Sequence, residues 1–184
     1  MGTSIFRTWM FYWRIKRILK YTRLLIQTIF SCFLSPDYQN NYYLFESKIH
    51  KIKRHWLKAK MSLSGSSISN QLDELFALLL NMAQLRHRVI DYSELIVCQR
   101  EMLELLNALD QIFLKLLSPK KFPAALRNFQ EKIEDFKAIY QQVLTVSAKD
   151  SFVYFVLITS LNLFYKNIII FQEKLFDLKN IKRV

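Results

Sequence analysis

The stretch that decides the fold is YYLFESKIHKIKRHWLKAKM, residues 42–61. Apolar residues recur in it at steps of three and four, and Leu63 follows the last of them by seven residues. All five fall along one side of an α-helix: Phe45, Ile49, Ile52, Trp56 and Leu63. Another side carries cations and an imidazole at the same spacing: Lys48, Lys51, His55 and Lys58. A helix with one apolar and one basic face is typical of a bundle helix that packs on one side and meets water on the other.

The rest of the chain supports the same architecture. Hydrophobic residues make up 52% of the 184 residues, and the only glycines are Gly2 and Gly65, which leaves little for β-hairpins or phosphate-binding loops. The three prolines, at positions 36, 119 and 123, lie between apolar runs, where proline separates helices. We therefore predict an all-α fold, an elongated antiparallel bundle of five or six helices.

The expected helices follow from these breaks. The first runs from about Ile5 to Leu34 and the second from 42 to 61; a third begins near Asn70, whose side chain can cap it. Further helices run from about 93 to 118, from Pro123, and from about 150. Around 91–94 the pattern allows either a break or one long helix. The predicted organisation is a basic aromatic helix over 1–34 and a helical bundle over 35–184 with a Ser/Gly hinge at 62–69.

Positive charge is concentrated at one end of the sequence. Residues 1–61 hold 12 Lys/Arg against two acidic residues and carry +10 of the net +12, whereas residues 62–184 carry +2. Basic residues interleaved with aromatic ones suit either an anionic membrane surface or a nucleic acid. The predicted contact residues are Trp9, Phe11, Trp13, Arg14, Lys16, Arg17, Lys20, Lys48, Lys51 and Lys58.

Two apolar stretches are candidates for membrane spans. Leu24–Leu34 has about eleven residues, which is too short for a hydrocarbon core that needs roughly twenty. Residues 152–171 have the length, but Asn162, Lys166 and Asn167 lie within them, and a central charge is costly in lipid. A buried bundle helix is the favoured interpretation of 152–171, with a span as the alternative.

Catalytic and metal-binding patterns are missing from the sequence. No two of His50, His55 and His87 have the i, i+4 spacing of a helical metal site, so no metal or cofactor is predicted. Cys98 falls on an apolar helix face, where a buried thiol is the expected interpretation. We therefore predict that the protein is not an enzyme.

A polar run at residues 84–98 is unusual in this apolar chain. Arg86 and Arg88, two positions apart, point in different directions on a helix, so at least one is expected to reach a buried or interhelical carboxylate such as Asp91 or Glu94. The alternative is an anion site on the bundle surface. Together with Cys98 and Glu101, these residues form the candidate structural motif Arg86, Arg88, Asp91, Cys98 and Glu101.

This run, preceded by Glu74-Leu75-Phe76, resembles the soluble helical domain of bacterial fusaric acid resistance (FUSC) and aromatic acid exporter-type inner-membrane proteins. The resemblance implies a cytoplasmic helical domain that works beside a transmembrane subunit and lacks the transmembrane bundle itself. The resemblance also implies a transporter subunit as partner and a peripheral location on the cytoplasmic face of the inner membrane. The charge pattern adds an anionic membrane surface as a candidate partner, and a homo-oligomer is a further option. Two other classes remain open: a standalone helical scaffold or effector that binds proteins, and a helical nucleic-acid-binding protein.

Overall fold

The computed structural model describes residues 2–63, 67–88, 96–144 and 151–181. These residues form six α-helices and no strand, which confirms the predicted all-α bundle. The helices are α1 (Gly2–Leu34), α2 (Tyr42–Met61), α3 (Ser67–Arg88), α4 (Gln99–Lys115), α5 (Phe122–Leu144) and α6 (Ser151–Ile181).

Side-chain contacts show how the first three helices pack. Arg14 near the start of α1 donates to the carbonyl of Ser62, which directly follows α2, at 3.1 Å. Farther along α1, Thr22 Oγ1 accepts from the indole nitrogen of Trp56 at 3.2 Å. The later residue of α1 thus contacts the earlier residue of α2, so the two helices are antiparallel. The ring of Trp56 also stacks on Phe76 of α3 at 4.1 Å, which places α3 on the same core.

The last three helices continue the alternation. Tyr140 near the end of α5 packs on Tyr154 near the start of α6 with ring centroids 5.0 Å apart, and Phe129 packs on Phe164 at 6.1 Å. Asp110 of α4 binds Arg23 of α1, and Leu117, just after α4, lies beside Phe11 and Ile15 earlier in α1, so α4 runs antiparallel to α1. One end of the bundle therefore gathers the start of α1, the end of α2, the turn between α4 and α5, and the end of α6.

Helix α6 packs through a regular seam. Its buried apolar residues alternate at steps of three and four: Tyr154, Leu157, Leu161, Phe164, Ile168, Phe171 and Leu175. This is the spacing of a helix that packs lengthwise between antiparallel neighbours. Two polar residues of the same helix, Asn167 and Lys174, bind the buried Gln71 of α3 at 2.9 and 3.2 Å. The seam and these polar contacts seat α6 in the bundle.

By length and composition alone, residues Tyr154–Asp177 of α6 are also sufficient to cross a membrane. In this structure 39% of that window is buried inside the protein. The buried core helix of a soluble protein satisfies the same criterion. Lys166, one of the residues that argued against a span, lies exposed on the outer side of α6.

Several helix boundaries differ from the sequence prediction: α1 begins at Gly2 and not near Ile5, and α4 ends at Lys115 and not near 118. The expected start of α3 near Asn70 is wrong, because the helix begins at Ser67 and Asn70 lies within its first turn. Ile68 is fully buried, and packing of this side chain extends the helix through a serine-rich segment of low intrinsic helix propensity. Residues 67–69 of the predicted hinge are thus helical, and the centre of the hinge at 64–66 lies outside the described residues. Residues 91–94, where the sequence allows either a break or a continuous helix, also lie outside them.

Candidate membrane-facing site

The first turns of α1 expose large apolar side chains. Ile5, Phe6, Trp9 and Trp13 are between 51% and 74% exposed, although tryptophan and phenylalanine normally bury most of their area. The rings of Phe6 and Trp9 stack at 6.3 Å. Steps of three and four between these positions place them on one side of α1, facing away from the core. This half of α1 is an apolar projection without cover among the described residues.

The same side of α1 becomes basic in the next two turns. Lys16, Arg17 and Lys20 are exposed, and none of them forms an ion pair with a residue in the described part of the chain. The Arg17 guanidinium lies 5.7 Å from the centre of the Trp13 ring, where the apolar and basic halves meet. We call these seven residues, Ile5, Phe6, Trp9, Trp13, Lys16, Arg17 and Lys20, the α1 surface.

Two of the predicted contact residues point elsewhere. Phe11 is half-buried and packs against the hydrophobic core. Arg14 is half-buried too, and its guanidinium binds the backbone at the end of α2. Both side chains therefore attach α1 to the bundle, and the structure does not place them on the α1 surface.

The basic face of α2 forms a separate strip. Lys48, Lys51 and Lys58 are exposed, and no ion pair involves them within the described ranges. His55, between them in sequence, stacks on Tyr21 of α1 at 5.4 Å, so the strip runs alongside α1. It carries charge without exposed aromatic residues between its lysines.

A groove of about 450 Å³ lies between α1 and α4, next to the α1 surface. Its apolar lining comes from both helices and the turn that follows α4: Leu19, Leu24, Phe113, Leu114 and Leu117. Its cations all come from α1: Lys16, Lys20 and Arg23. The groove combines an apolar floor with a basic edge.

Arg23 is the one groove cation that is already neutralised. Its Nε and Nη2 donate to the two carboxylate oxygens of Asp110, each at 3.0 Å. This bidentate pair raises the pKa of Arg23, because the hydrogen bond and the charge of Asp110 outweigh partial burial. The pair links α1 to α4 beside the groove. Lys16 and Lys20 are the groove cations that form no ion pair within the described residues.

Arg86 holds the other end of α1. It is only 2% exposed, and its Nε and Nη2 donate to the carbonyl oxygens of Cys32 and Ser35 at 3.0 and 3.1 Å. The guanidinium also lies 4.6 Å from the centre of the Tyr38 ring. The last carbonyl oxygens of a helix have no hydrogen-bond donor within that helix. Arg86, in α3, donates hydrogen bonds to carbonyl oxygens at the end of α1. The expected partner of at least one of the two arginines is a carboxylate such as Asp91 or Glu94; the hydrogen bonds described for Arg86 go to backbone carbonyls, and both acids lie outside the described residues.

Burial around Arg86 changes two neighbouring acids. The pKa of the Cys32 thiol rises to about 12 because burial disfavours the thiolate, although the charges of Arg86 and Lys48 partly oppose the shift. The pKa of Tyr38 also rises to about 12, chiefly through burial. Both groups are therefore neutral at physiological pH.

The described members of the candidate motif lie at the end of α3 and the start of α4. Arg88 is exposed at the end of α3, and Asp91, like Glu94, lies outside the described residues. Cys98 occupies the N-cap position of α4 and is buried, with its sulfur 3.9 Å from the Tyr154 hydroxyl. Glu101 is half-buried in the first turn of α4. A carboxylate partner at Asp91 or Glu94 stays a prediction.

A second groove, of about 350 Å³, lies between α2 and α3. Tyr42 stacks on His87 at 4.3 Å and donates from its hydroxyl to Glu46 at 3.2 Å, while His50 Nε2 lies 3.8 Å from the Glu46 carboxylate. Within the ranges that the structure describes, no three His, Cys, Asp or Glu side chains come together as a metal site. The absence of enzymatic activity stays a prediction.

Four exposed residues at this end of the bundle are not predicted as contact residues from the sequence: Ile5, Phe6, Lys120 and Lys121. Ile5 and Phe6 extend the α1 surface, and their spacing to Trp9 was the available signal. Exposed Lys120 and Lys121 lie in the turn between α4 and α5, close to where Leu117 meets Phe11 of α1. No sequence signal joins residues so far apart, because only the helix directions bring them to the same end.

The α1 surface is thus the part of the described structure with the clearest character of a contact site. Comparison of the chain with protein-family models, with curated proteins and with solved structures found no match.

Proposed function

We propose that this protein is a peripheral membrane protein whose helical body is held on an anionic bilayer by the α1 surface. The observation that carries the proposal is the order of side chains along one side of α1, with Ile5 to Trp13 apolar and Lys16 to Lys20 basic. At about 1.5 Å per residue the surface is roughly 20 Å long. Apolar residues placed in the interface and lysines among lipid phosphates are the standard elements of interfacial helices.

Electrostatics sets the expected strength. A juxtamembrane cation contributes about 1 kcal/mol near an anionic surface. Removal of the charges of Lys16, Arg17 and Lys20 should therefore cost about 3 kcal/mol, or roughly 150-fold in partitioning. Because the attraction is screened by salt, binding should weaken as ionic strength rises.

The test is sedimentation of the protein with vesicles of phosphatidylcholine and phosphatidylglycerol. The variant Lys16→Gln, Arg17→Gln, Lys20→Gln should lose about two orders of magnitude in partitioning. The matched control, Lys48→Gln, Lys51→Gln, Lys58→Gln, removes the same charge from exposed positions of α2 and should lose far less. Equal losses in the two variants would refute the assignment to the α1 surface, since net charge alone would then explain binding.

Fractionation of cells separates a peripheral protein from an inserted one. We expect the protein in the membrane pellet and its release by a high-salt wash. Retention through both salt and alkali would contradict the proposal and indicate that α6, with its window Tyr154–Asp177, crosses the bilayer. Full recovery in the cytosol would contradict membrane attachment altogether.

The resemblance to the FUSC and aromatic acid exporter-type family adds a partner to this proposal. A transmembrane subunit of an exporter would receive the helical body on the cytoplasmic face, with the α1 surface beside it in the lipid interface. Crosslinking from position 13 in membranes should then capture a membrane protein. Crosslinks to lipid alone would contradict the proposed subunit and indicate that the lipid surface is the partner.

The lysine strip of α2 favours a second candidate function, which is binding to nucleic acid phosphates. Lys48, Lys51 and Lys58 are exposed and unneutralised among the described residues. A duplex that competes with vesicles, with affinity lost in the α2 triple variant and spared in the α1 triple variant, would favour this candidate.

A further inference from the structure

We propose that the α1–α4 groove binds one anionic phospholipid, with the phosphate at Lys16 and Lys20 and an acyl chain along the groove floor. This inference deepens the proposed function and rests on it, because the membrane supplies the lipid. It assigns a defined site where the α1 surface alone provides a diffuse contact.

The basic edge of the groove fits a phosphate. Lys16 and Lys20 are one helical turn apart, so their ammonium groups can reach a single anion. Neither forms an ion pair within the described ranges, whereas Arg23 is already held by Asp110. A phosphate at this edge would therefore meet two free cations without breaking an existing pair.

The floor of the groove fits a hydrocarbon chain. Leu114 is 46% exposed, and Leu24 and Leu117 are half-buried at the margin of the core. The volume of about 450 Å³ falls within the range of roughly 300–1,000 Å³ that is usual for small-molecule sites. An acyl chain would cover leucine surface that water now contacts.

The groove is also continuous with the proposed membrane contact. Lys16 and Lys20 line the groove and belong to the α1 surface as well. A lipid in the leaflet under α1 can therefore enter the groove from its basic edge without opening the core. The charge and this continuity favour an anionic phospholipid over a neutral amphiphile or a free anion.

The experiment is calorimetric titration of the full chain with three monomeric probes. These are dihexanoyl phosphatidylglycerol, dihexanoyl phosphatidylcholine with the same chains and no net charge, and glycerol 1-phosphate with no chains. We expect one saturable site for phosphatidylglycerol and at least tenfold weaker binding of each other probe. Comparable affinity for all three, or no saturable binding of phosphatidylglycerol, would overturn the proposal.

Two leucine variants of α4 locate the site. Leu114→Glu places a negative charge in the groove, and we expect at least a tenfold loss in affinity for phosphatidylglycerol. Leu103→Glu is the matched control, because Leu103 is a similarly exposed leucine of α4, 39% against 46%, outside the groove lining. We expect less than a twofold change for this variant, and equal losses in the two would overturn the assignment.

The vesicle assay keeps the two proposals apart. If phosphatidylglycerol fails to saturate but the α1 triple variant still leaves vesicles, the groove proposal fails and the membrane proposal stands. If wild-type protein does not bind vesicles at all, the membrane proposal fails, whatever the titrations give.

Discussion

Replacement of Arg86 by methionine should destabilise the bundle by about 3 kcal/mol. Hydrogen bonds from a charged donor contribute about 1.5–3 kcal/mol each, and Arg86 makes two of them to the carbonyls of Cys32 and Ser35. Its position over the Tyr38 ring adds about 1–2 kcal/mol. Part of this sum is recovered because the variant no longer buries a charge, which leaves a net loss near 3 kcal/mol.

The assay is urea unfolding followed by circular dichroism at 222 nm. With a urea dependence of about 2 kcal/mol/M, the midpoint should fall by roughly 1.5 M. Arg88→Met is the matched control, since Arg88 is exposed at the end of the same helix, and it should change stability by less than about 0.5 kcal/mol. Arg86→Lys should be intermediate, because an ammonium keeps the charge and loses the fork geometry.

A loss in Arg86→Met of less than 1 kcal/mol beyond that in Arg88→Met would refute the reasoning. The α1 carbonyls would then be satisfied without the guanidinium. A changed slope of the urea transition, with an unchanged midpoint, would also contradict it, because the effect would then lie in the unfolded state.

Two further predictions concern the core around α1, beside the vesicle and groove experiments above. Thr22→Val should cost about 1–3 kcal/mol, because it leaves the buried Trp56 indole without its acceptor at 3.2 Å; thermal unfolding measures this, and Thr159→Val, at an exposed threonine of α6, should be nearly neutral. Stability should also fall as pH rises from about 9 towards 12, because burial raises the pKa of Cys32 from 9.0 to about 12, so the unfolded chain releases the thiol proton first. Cys32→Ala should flatten this part of the stability profile from urea titrations at pH 8 to 11, and an unchanged profile would show that other groups dominate.

The sequence predicts helix bounds most accurately where those bounds depend on the local residue pattern. The bounds of α2 were predicted at 42 and 61, because its apolar stripe and flanking polar segments are local features. The start of α3 was missed because Ile68 is ordered by tertiary packing that outweighs the poor propensity of its serine neighbours.

For the candidate site as well, features set by local spacing could be predicted, and features that depend on distant contacts could not. Divergence of Arg86 and Arg88 follows from helical spacing, but two of the groups that Arg86 binds are backbone carbonyls 54 and 51 residues away. Likewise the composition of α1 predicted Trp9, Trp13 and Lys16 as contact residues, and the structure shows all three exposed on one side of the helix. The groove beside them exists only because α4 returns along α1, so no local pattern could indicate it.

The long sequence separation between Cys32 and Arg86 has a consequence for synthesis on the ribosome. At about 5–20 residues per second, Arg86 is made roughly 3–10 s after Cys32. During that interval the end of α1 lacks the guanidinium that later completes it, while the aromatic residues of the same helix are already made. If the proposed membrane contact exists, a bilayer would meet the apolar side chains of α1 before the bundle closes, and attachment during translation would compete with folding in solution.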